Sequence, residues 1–388
     1  MAILAILLAA LPVSEEKTEH YSILAEKLDA TEVGRLLEGL HAHLTSHFGR
    51  SPKERLRVEI YSTRERWEAA LRATGDAVPD AGGYYSPGTK TASLYVQPSR
   101  YYTRQLLLHE ATHQFHFLVA TGNRSPRASW YTEGLAEHFG MHDWDGEALK
   151  VGVVPAATLE DYPEAANRNF ERIERDLAGI VSGKRECGRP EAWALVGFLM
   201  ERDGMRFRTL ASLLDRGSEP EPAWKRAVGA VSPRLVQEYE AWIESHAQPW
   251  KIVWTSWEQR GEFLEGESQT NGLLLRKGEP RSLAVDLHPQ DGSWKAGLVF
   301  GYRSAEEFFL FQAVGSREVR VVERARGEWK VRLTRPVERS EGPWRLSAEA
   351  ERGSVRLRAG ETEVASFEAP GELGLNVEGC RIRFRVVE

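Results

Sequence analysis

The sequence predicts an α+β protein, in which a domain of helices and a small sheet is followed by an all-β jelly-roll sandwich. Three observations predict this order. Apolar residues recur at helical spacing through much of the first 249 residues, short alternating segments interrupt them before residue 100, and β-rich segments dominate after Trp250. With 388 residues, the chain is too long for one ordinary core. We therefore expect a first domain over residues 14–249 and a second over residues 250–388.

The first domain is predicted to alternate helices and strands before a long apolar helix. Helical spacing extends from about residue 18 to 50, where Leu24, Leu28, Val33, Leu36, Leu37, Leu40 and Leu44 recur. The segments that follow are a strand at Leu56–Tyr61, a short helix at Glu65–Ala73, turn residues at Ala81–Gly88, a strand at Thr91–Val96 and the apolar helix at Tyr101–Ala120. Three further helices are predicted, at Pro190–Arg202, Phe207–Leu214 and Pro233–His246.

The second domain is predicted from short β-rich segments that Gly-, Glu- and Arg-rich turns separate. Their spacing is typical of a sandwich or barrel. The predicted strands are Leu273–Arg276, Ser282–Leu287, Ala296–Tyr302, Phe308–Val314, Glu318–Val322, Lys330–Thr334, Trp344–Ala350, Val355–Arg358, Val364–Phe367 and Arg381–Val387.

The amino terminus resembles a signal peptide. Residues 2–13 carry no charged side chain, and Glu15-Glu16-Lys17 follows at once. This run is too short to span a bilayer and about the length of a signal-peptide core. The sequence therefore predicts a signal peptide over residues 1–13 and a secreted, periplasmic or cell-envelope protein, although an amino-terminal helix packed on the domain is the alternative.

Composition narrows the classes of partner and site. A net charge of −6 carries no basic excess, which argues against nucleic acid as a partner, and no later segment is apolar enough to cross a membrane. The only cysteines are Cys187 and Cys380, which excludes a disulfide framework and a cysteine zinc cluster.

A metal site is predicted on the apolar helix at His109-Glu110-Ala111-Thr112-His113. Two histidines four residues apart on a helix differ by about 40° of rotation and about 6 Å of rise, so both imidazoles can reach one ion. Glu110, which follows the first histidine, can take a proton from the attacking water. This is the pattern of metal-assisted amide hydrolysis with a general base.

A second helix, over Ser129–Gly140, supplies the remaining candidates. Glu133 is predicted as the third metal ligand, because a catalytic zinc needs three protein ligands and one open position. Glu137 lies one turn further on the same face. Its carboxylate can accept a hydrogen bond from the non-ligating nitrogen of His109 and so orient that ring.

These motifs resemble the gluzincin metallopeptidases, in particular the peptidase MA-like family DUF1570. The resemblance rests on His109–His113, on Trp130-Tyr-Thr-Glu-Gly-Leu-Ala-Glu137 and on the upstream Gly83–Pro87 and Leu94–Val96 segments, and it covers about residues 50–245. It implies a zincin-like catalytic domain that holds Zn²⁺ between the two motif helices. It also implies a strand beside the cleft on which an extended peptide lies.

Two further assignments stay open. His116 lies seven residues after His109, and we expect it to be a cleft-lining or hydrogen-bonded core residue rather than a metal ligand.

Gluzincins usually place a hydrogen-bond donor where the tetrahedral intermediate develops its negative charge. Tyr162, His142, Tyr85 and Arg189 are the candidates for that oxyanion donor.

The second domain is rich in aromatic residues, which in a sandwich usually form the core. Ala296–Tyr302 and Phe308–Phe311 resemble segments of concanavalin-like or laminin-G-like jelly rolls. By this architectural analogy alone, a glycan is a candidate partner of the second domain.

The sequence therefore predicts a zinc peptidase. His109, His113 and Glu133 hold the metal, Glu110 acts as general base, Glu137 orients His109, and peptides or proteins are the substrates. The alternative is a non-catalytic secreted protein whose sandwich binds glycan or protein and whose zinc is structural. A fourth protein ligand would indicate the structural site, and an open position the catalytic one.

Overall fold

The computed structural model describes residues 13–278, 280–290, 292–315, 317–337 and 343–387. The predicted signal peptide therefore lies outside the described residues, except for Val13, which begins the first strand. The chain divides into two compact units. The first comprises Met1–Val154 and Tyr162–His246, and the second comprises Pro155–Asp161 and Ala247–Glu388.

The sheet of the first unit has the strand order β1-β2-β3-β5-β4. Strands β2, β3 and β5 are parallel, whereas β1 and β4 run antiparallel at the two edges. The bounds are Val13–Lys17 for β1, Tyr21–Glu26 for β2, Leu56–Tyr61 for β3, Gly83–Ser86 for β4 and Thr91–Tyr95 for β5. Helices α1, Ala30–Phe48, and α2, Arg64–Thr74, connect the parallel strands.

The helix predicted from residue 18 is wrong in its first part. Residues 21–26 form β2, and α1 begins only at Ala30, where the Asp29 carboxylate accepts a hydrogen bond from the Thr31 amide. Tyr21, Ile23 and Ala25 are buried at the alternate positions of a strand. Leu24 and Leu28 happen to continue the helical spacing of α1, which hides this alternation in the sequence.

The turn predicted over Ala81–Gly88 is also only partly present. Gly83–Ser86 is the edge strand β4, paired with β5, and the turn is confined to the residues between the two strands. Glycine and serine disfavour strands as isolated residues, but pairing with β5 overrides that preference.

The first unit also contains one long buried helix, α3, Arg100–His116, which packs against α1, α4, β4 and β5. The Ser99 hydroxyl accepts a hydrogen bond from the Tyr102 amide and starts this helix, and a π-helical turn, Phe117–Thr121, ends it. The other elements are α4 Ser129–Gly140, β6 His142–Trp144, β7 Leu149–Val151, α5 Tyr162–Arg172, α6 Leu177–Ser182, α7 Arg189–Arg202, α8 Gly204–Asp215, α9 Pro220–Ala227 and α10 Pro233–Ser245.

The second unit is a nearly closed antiparallel β-sandwich, as the β-rich segments predicted. Its strands are β8 Trp250–Trp254, β9 Ser256–Arg260, β10 Phe263–Arg276, β11 Ser282–Pro289, β12 Lys295–Ser304, β13 Glu307–Val314, β14 Glu318–Ala325, β15 Glu328–Pro336, β16 Trp344–Glu351, β17 Ser354–Ala359, β18 Thr362–Glu368 and β19 Glu372–Val387. The central order is β15-β14-β13-β12-β19-β11-β16-β17-β18, and β10 pairs with β19, β8 and β9. Aliphatic and aromatic side chains from both halves of this sheet form its main core.

The two cysteines do not cross-link the chain. Cys187 lies in the first unit and Cys380 in the second, and neither forms a disulfide bond. Among the described residues, no helix combines the length and the apolar character needed to cross a membrane.

Candidate metal centre

Helices α3 and α4 bring His109, His113 and Glu133 together in the first unit. The Nε2 atoms of the two histidines are 3.0 Å apart. Glu133 Oε2 lies 3.5 Å from His109 Nε2, and Glu133 Oε1 lies 3.4 Å from His113 Nε2. Two atoms bound to zinc at about 2.05 Å in tetrahedral geometry are about 3.3 Å apart. The three side chains therefore already have the spacing of zinc ligands.

The three ligand atoms form an incomplete set. They lie within 4.8 Å of one another, and no fourth His, Cys, Asp or Glu of the described residues joins them. Two neutral imidazoles and one carboxylate are the ligands of many catalytic zinc sites, which keep one position open. The donor set thus fits zinc.

Glu137 contacts the face of His109 that points away from the ligand cluster. Its Oε1 is 3.0 Å from His109 Nδ1, although this nitrogen is not aligned for a good hydrogen bond. The other carboxylate oxygen accepts a hydrogen bond of 3.2 Å from the Gln105 amide. Burial raises the pKa of Glu137, but His109 and Arg189 outweigh it, so that the pKa lies below its usual value. Glu137 is therefore an anion that can orient His109.

The same carboxylates control the protonation of His109. Burial lowers the pKa of His109, but the charges of Glu137 and Glu133 outweigh burial and raise the pKa to about 10. The raised pKa favours the protonated form of this imidazole in the metal-free protein. A metal must displace that proton when it binds.

Glu110 lies beside the ligands but on a different face of α3. Its side chain is 4% exposed, and burial raises the pKa of its carboxyl. A carboxyl with a raised pKa is suited to taking and returning a proton. The edge strand β4 passes close by, because a Cβ built on Gly83 would lie 2.8 Å from Glu110 Cγ. Any other residue at position 83 would therefore require the Glu110 side chain to shift.

Helix α7 supplies a cation to the site. Arg189 Nη1 is 3.6 Å from Glu137 Oε1, and Arg189 Nε is 3.9 Å from Glu133 Oε2. The Arg189 side chain is 33% exposed, so a bound molecule can reach it. Burial lowers its pKa, but Glu137, Tyr162 and Glu110 outweigh this and raise the pKa, so the side chain stays charged.

Gly134 allows α7 to approach this closely. A Cβ on Gly134 would lie 2.1 Å from the Ala192 carbonyl oxygen and 2.6 Å from Val196 Cγ2. The dipeptide Glu133-Gly134 therefore combines a candidate ligand with a close contact between α4 and α7.

The four predicted oxyanion candidates separate into two groups. Arg189 lies at the ligands, and Tyr162 is close enough to Arg189 to affect its pKa. His142 is buried elsewhere, stacked on Tyr101 with its Nδ1 2.7 Å from the Gly140 carbonyl. The Tyr85 hydroxyl donates to Asn123 Oδ1 at 2.7 Å. These partners of His142 and Tyr85 are not candidate metal ligands.

His116 is a hydrogen-bonded core residue rather than a neighbour of the ligands. Its Nε2 is 2.8 Å from Asp215 Oδ1, which also accepts a hydrogen bond of 3.1 Å from the Tyr131 hydroxyl. Asp215, at the end of α8, thus links α3 to α4 behind the metal centre.

Sequence reasoning missed Gln105, Gly83, Gly134 and Asp215. Gly134 and Gly83 carried a visible signal, because each lies inside a segment that resembles the DUF1570 motifs. Gln105 lies one turn before His109 on α3, which is also visible in the sequence. Asp215 is about a hundred residues from His116, and nothing in the sequence links the two.

Comparison with known proteins gives a local family match. The family described as "Protein of unknown function (DUF1570)" matches residues 105–224, which include all three candidate ligands and Arg189. No curated protein matches the chain significantly.

Solved structures resemble about a third of the chain. A carbohydrate binding module, CBM66 from Bacillus subtilis, is 19% identical and covers 35% of this chain and 92% of its own, with a TM-score of 0.32. The GH43 BlXynB protein from Bacillus licheniformis is 15% identical over 36% of each chain, with a TM-score of 0.30. The Caenorhabditis elegans galectin LEC-6 is 13% identical over 32% of this chain and 96% of its own, with a TM-score of 0.23.

Proposed function

We propose that this chain is a zinc-dependent peptidase with a gluzincin-type site. The observation that carries the proposal is the incomplete tetrahedron formed by His109, His113 and Glu133, with Glu110 buried beside it. A structural zinc site is normally closed by four protein ligands, whereas a hydrolytic site leaves one position for water or substrate. The donor set therefore favours catalysis over a purely structural role.

His109, His113 and Glu133 would hold the zinc. Bound there, the metal would supply a Lewis acid that activates water and polarises the scissile carbonyl. Glu110 takes the proton of the attacking water at its carboxylate and returns it to the nitrogen of the leaving amine. Glu137 keeps the His109 ring oriented with Nε2 toward the cluster.

Arg189 is the oxyanion donor in this proposal. Its guanidinium is permanently charged and lies within 4 Å of Glu133, so that it borders the ligand cluster. A cation at this position stabilises the negative charge that develops on the carbonyl oxygen when water adds. Tyr162, close to Arg189, is the second candidate.

The edge strand β4 is the proposed docking line for the substrate. In the described residues, β4 pairs only with β5, which leaves its outer backbone groups available to an extended peptide. Gly83 brings this strand against Glu110, so that a peptide added to β4 would pass the general base.

A secreted or envelope location accompanies this proposal and rests on the apolar residues 2–13 alone. The competing function is a binding protein with a structural zinc. A zinc-containing protein that cleaves no peptide would favour that second function.

The test is cleavage of a broad peptide library by the zinc-loaded protein and by Glu110→Gln. We expect wild type to cleave and Glu110→Gln to lose at least about 10²-fold of the rate, because the general base is removed while the ligands stay. Glu54→Gln, which changes an exposed carboxylate in the same unit, is the matched control and should cleave like wild type. Zinc-loaded wild type that cleaves nothing, or Glu110→Gln that cleaves at the wild-type rate, would contradict the proposal.

A further inference from the structure

The second unit carries a cluster of aromatic side chains around one arginine, at the smaller of its two hydrophobic cores, which contains Phe308. The Arg324 guanidinium carbon lies 4.9 Å from the ring centroid of Trp329 and 5.3 Å from that of Trp254. Phe308 contacts both tryptophans edge-on, at 5.6 and 5.5 Å, and Tyr302 lies 5.7 Å from Phe308. These five residues are called the Trp–Arg surface below.

Arg324 has no ion-pair partner among the described residues, unlike the four arginines that surround the buried carboxylates of this unit. Arg345 and Arg385 bind the buried Asp286, and Arg381 and Arg383 bind Glu265. The Nε of Arg324 is buried without a hydrogen-bond acceptor. The two indoles contact the guanidinium by cation–π interaction, and its Nε–H is a donor without an acceptor among the described residues. A donor left unsatisfied is costly, so an acceptor supplied by a ligand would be favourable there.

The backbone beside Trp254 is held in an unusual conformation. Thr255 has a φ of 65°, which a β-branched residue rarely adopts. Gly272 makes this conformation fit, because a Cβ on Gly272 would lie 2.3 Å from Thr255 Cγ2. Strain of this kind persists only where surrounding contacts enforce it, and it is concentrated at functional sites.

The outer edge of the Trp–Arg surface is open to solvent. Trp329 is 43% exposed, and Val331, two residues further along the edge strand β15, is 57% exposed. Both belong to the small set of large hydrophobic side chains that are exposed among the described residues. Trp254 and Tyr302 are half-buried beside them. Exposed aromatic side chains that adjoin one another are typical of binding surfaces.

The ribbon that carries Arg324 and Trp329 is basic. Residues 318–336, which form β14, β15 and their turn, contain six Lys or Arg and three Glu, whereas the whole chain has a net charge of −6. Two of the three glutamates, Glu318 and Glu323, are already paired with arginines of the same ribbon. The ribbon therefore attracts an anionic partner.

We propose that the Trp–Arg surface binds an acidic glycan, in which a sugar ring stacks on Trp329 and its carboxylate accepts hydrogen bonds from Arg324. A pyranose ring presents a flat face of C–H groups that matches an indole, and its substituents project from the ring edge. The indoles contact the π system of the guanidinium. Arginine binds a carboxylate through its N–H groups, with two parallel hydrogen bonds. An acidic peptide also supplies carboxylates, but it has no flat, rigid apolar face that could stack on an indole ring.

The test is calorimetric titration of the full chain with three probes of matched length: oligogalacturonate, neutral cello-oligosaccharide and oligoglutamate. We expect oligogalacturonate to bind, with an affinity that falls as salt rises. Trp329→Ala and Arg324→Gln should each weaken this binding at least about tenfold, because each removes one of the two contacts. Arg352→Gln, at an exposed arginine outside the Trp–Arg surface, should bind like wild type.

Several outcomes would overturn the proposal. Absence of binding to oligogalacturonate would contradict the proposal. Cello-oligosaccharide that binds as tightly as oligogalacturonate would show that the carboxylates of the ligand are not recognised. Oligoglutamate binding equally well would indicate a peptide site instead. Trp329 is exposed, so Trp329→Ala should fold normally by circular dichroism even if Arg324→Gln does not. If folded Trp329→Ala binds oligogalacturonate like wild type, the Trp–Arg surface is not the binding site.

Discussion

At the residue scale, single buried carboxylates in the first unit hold neighbouring side chains in place through several contacts at once. Glu137 contacts the ligand His109, the amide of Gln105 and the guanidinium of Arg189 at once. Its charge is therefore compensated on every side, which allows a carboxylate to stay ionised in a buried place. An uncharged side chain there would leave His109 free to adopt other orientations or the other tautomer.

Replacing Glu137 with glutamine tests this role. We expect Glu137→Gln to bind zinc about 10–100-fold more weakly than wild type, because the orienting anion behind His109 is lost while all three ligands remain. Competition with a chelator of known affinity measures the change. Glu68→Gln, which changes a carboxylate of α2 that pairs with Arg64 and Arg72, should bind zinc like wild type. A zinc affinity in Glu137→Gln equal to that of wild type would show that Glu137 does not act through His109.

Glu26 is a second buried carboxylate, with a purely structural role at the end of β2. It accepts hydrogen bonds from the Ser62 amide at 2.9 Å, the Ser62 hydroxyl at 2.7 Å and Arg66 Nε at 2.9 Å. Burial raises its pKa, but these hydrogen bonds outweigh burial and lower the pKa from 4.5 to about 2. The bonds tie β2 to the start of α2.

The lowered pKa predicts how stability depends on pH. The folded protein binds the Glu26 proton more weakly than the unfolded chain, so the stabilisation is complete above pH 4.5 and is lost as the pH falls toward 2. We expect Glu26→Gln to lower the free energy of unfolding at pH 7 by about 1–3 kcal/mol. This is less than the full pKa shift corresponds to, because Arg66 is half exposed and solvent screens its charge. Urea denaturation should show this difference shrinking below pH 4.5. A difference that stays constant down to pH 2.5 would contradict the assignment.

Helices α3 and α4 could be predicted from the sequence because their functional residues are local. The spacing of His109 and His113 places both on one helix face, and Glu133 and Glu137 repeat that spacing one helix later. Strand β2 could not be predicted, because Leu24 and Leu28 continue the helical spacing of α1. Helix α7 was predicted, but its position against α4 was not. That contact depends on the absence of a side chain at Gly134, and hydrophobic periodicity does not report such an absence.

Gly134 is therefore the residue at which the pairing of α4 and α7 can be tested. Gly134→Ala should lower the free energy of unfolding by about 1–3 kcal/mol, because the new methyl group would overlap the Ala192 carbonyl. It should also slow catalysis, since Arg189 moves with α7. Gly204→Ala is the matched control, because a Cβ there meets only Arg208 Nη1 at 3.7 Å, and it should be neutral or slightly stabilising. Equal stability of the two variants would show that the close contact is unimportant.

At the scale of the whole molecule, the chain crosses between its two units more often than the sequence suggests. Residues 155–161 belong with the second unit, where the Ala156 amide donates to Gln259 at 2.6 Å and the Gln248 amide donates to the Pro155 carbonyl at 2.9 Å. The change to β-rich segments at Trp250 was visible in the sequence. The short segment before Tyr162 has no periodicity of its own, so its place could not be predicted.

The zinc content of the whole protein tests the central claim most directly. We expect purified protein, reconstituted with zinc and freed of excess metal, to hold about one zinc per chain, and Glu110→Gln to hold the same amount. His113→Ala should lose the metal, while His246→Ala, at a histidine outside the cluster that lies beside the Trp242 carbonyl, should keep it. Folded wild-type protein that binds no zinc, or His113→Ala that retains a full equivalent, would contradict a metal centre at His109, His113 and Glu133.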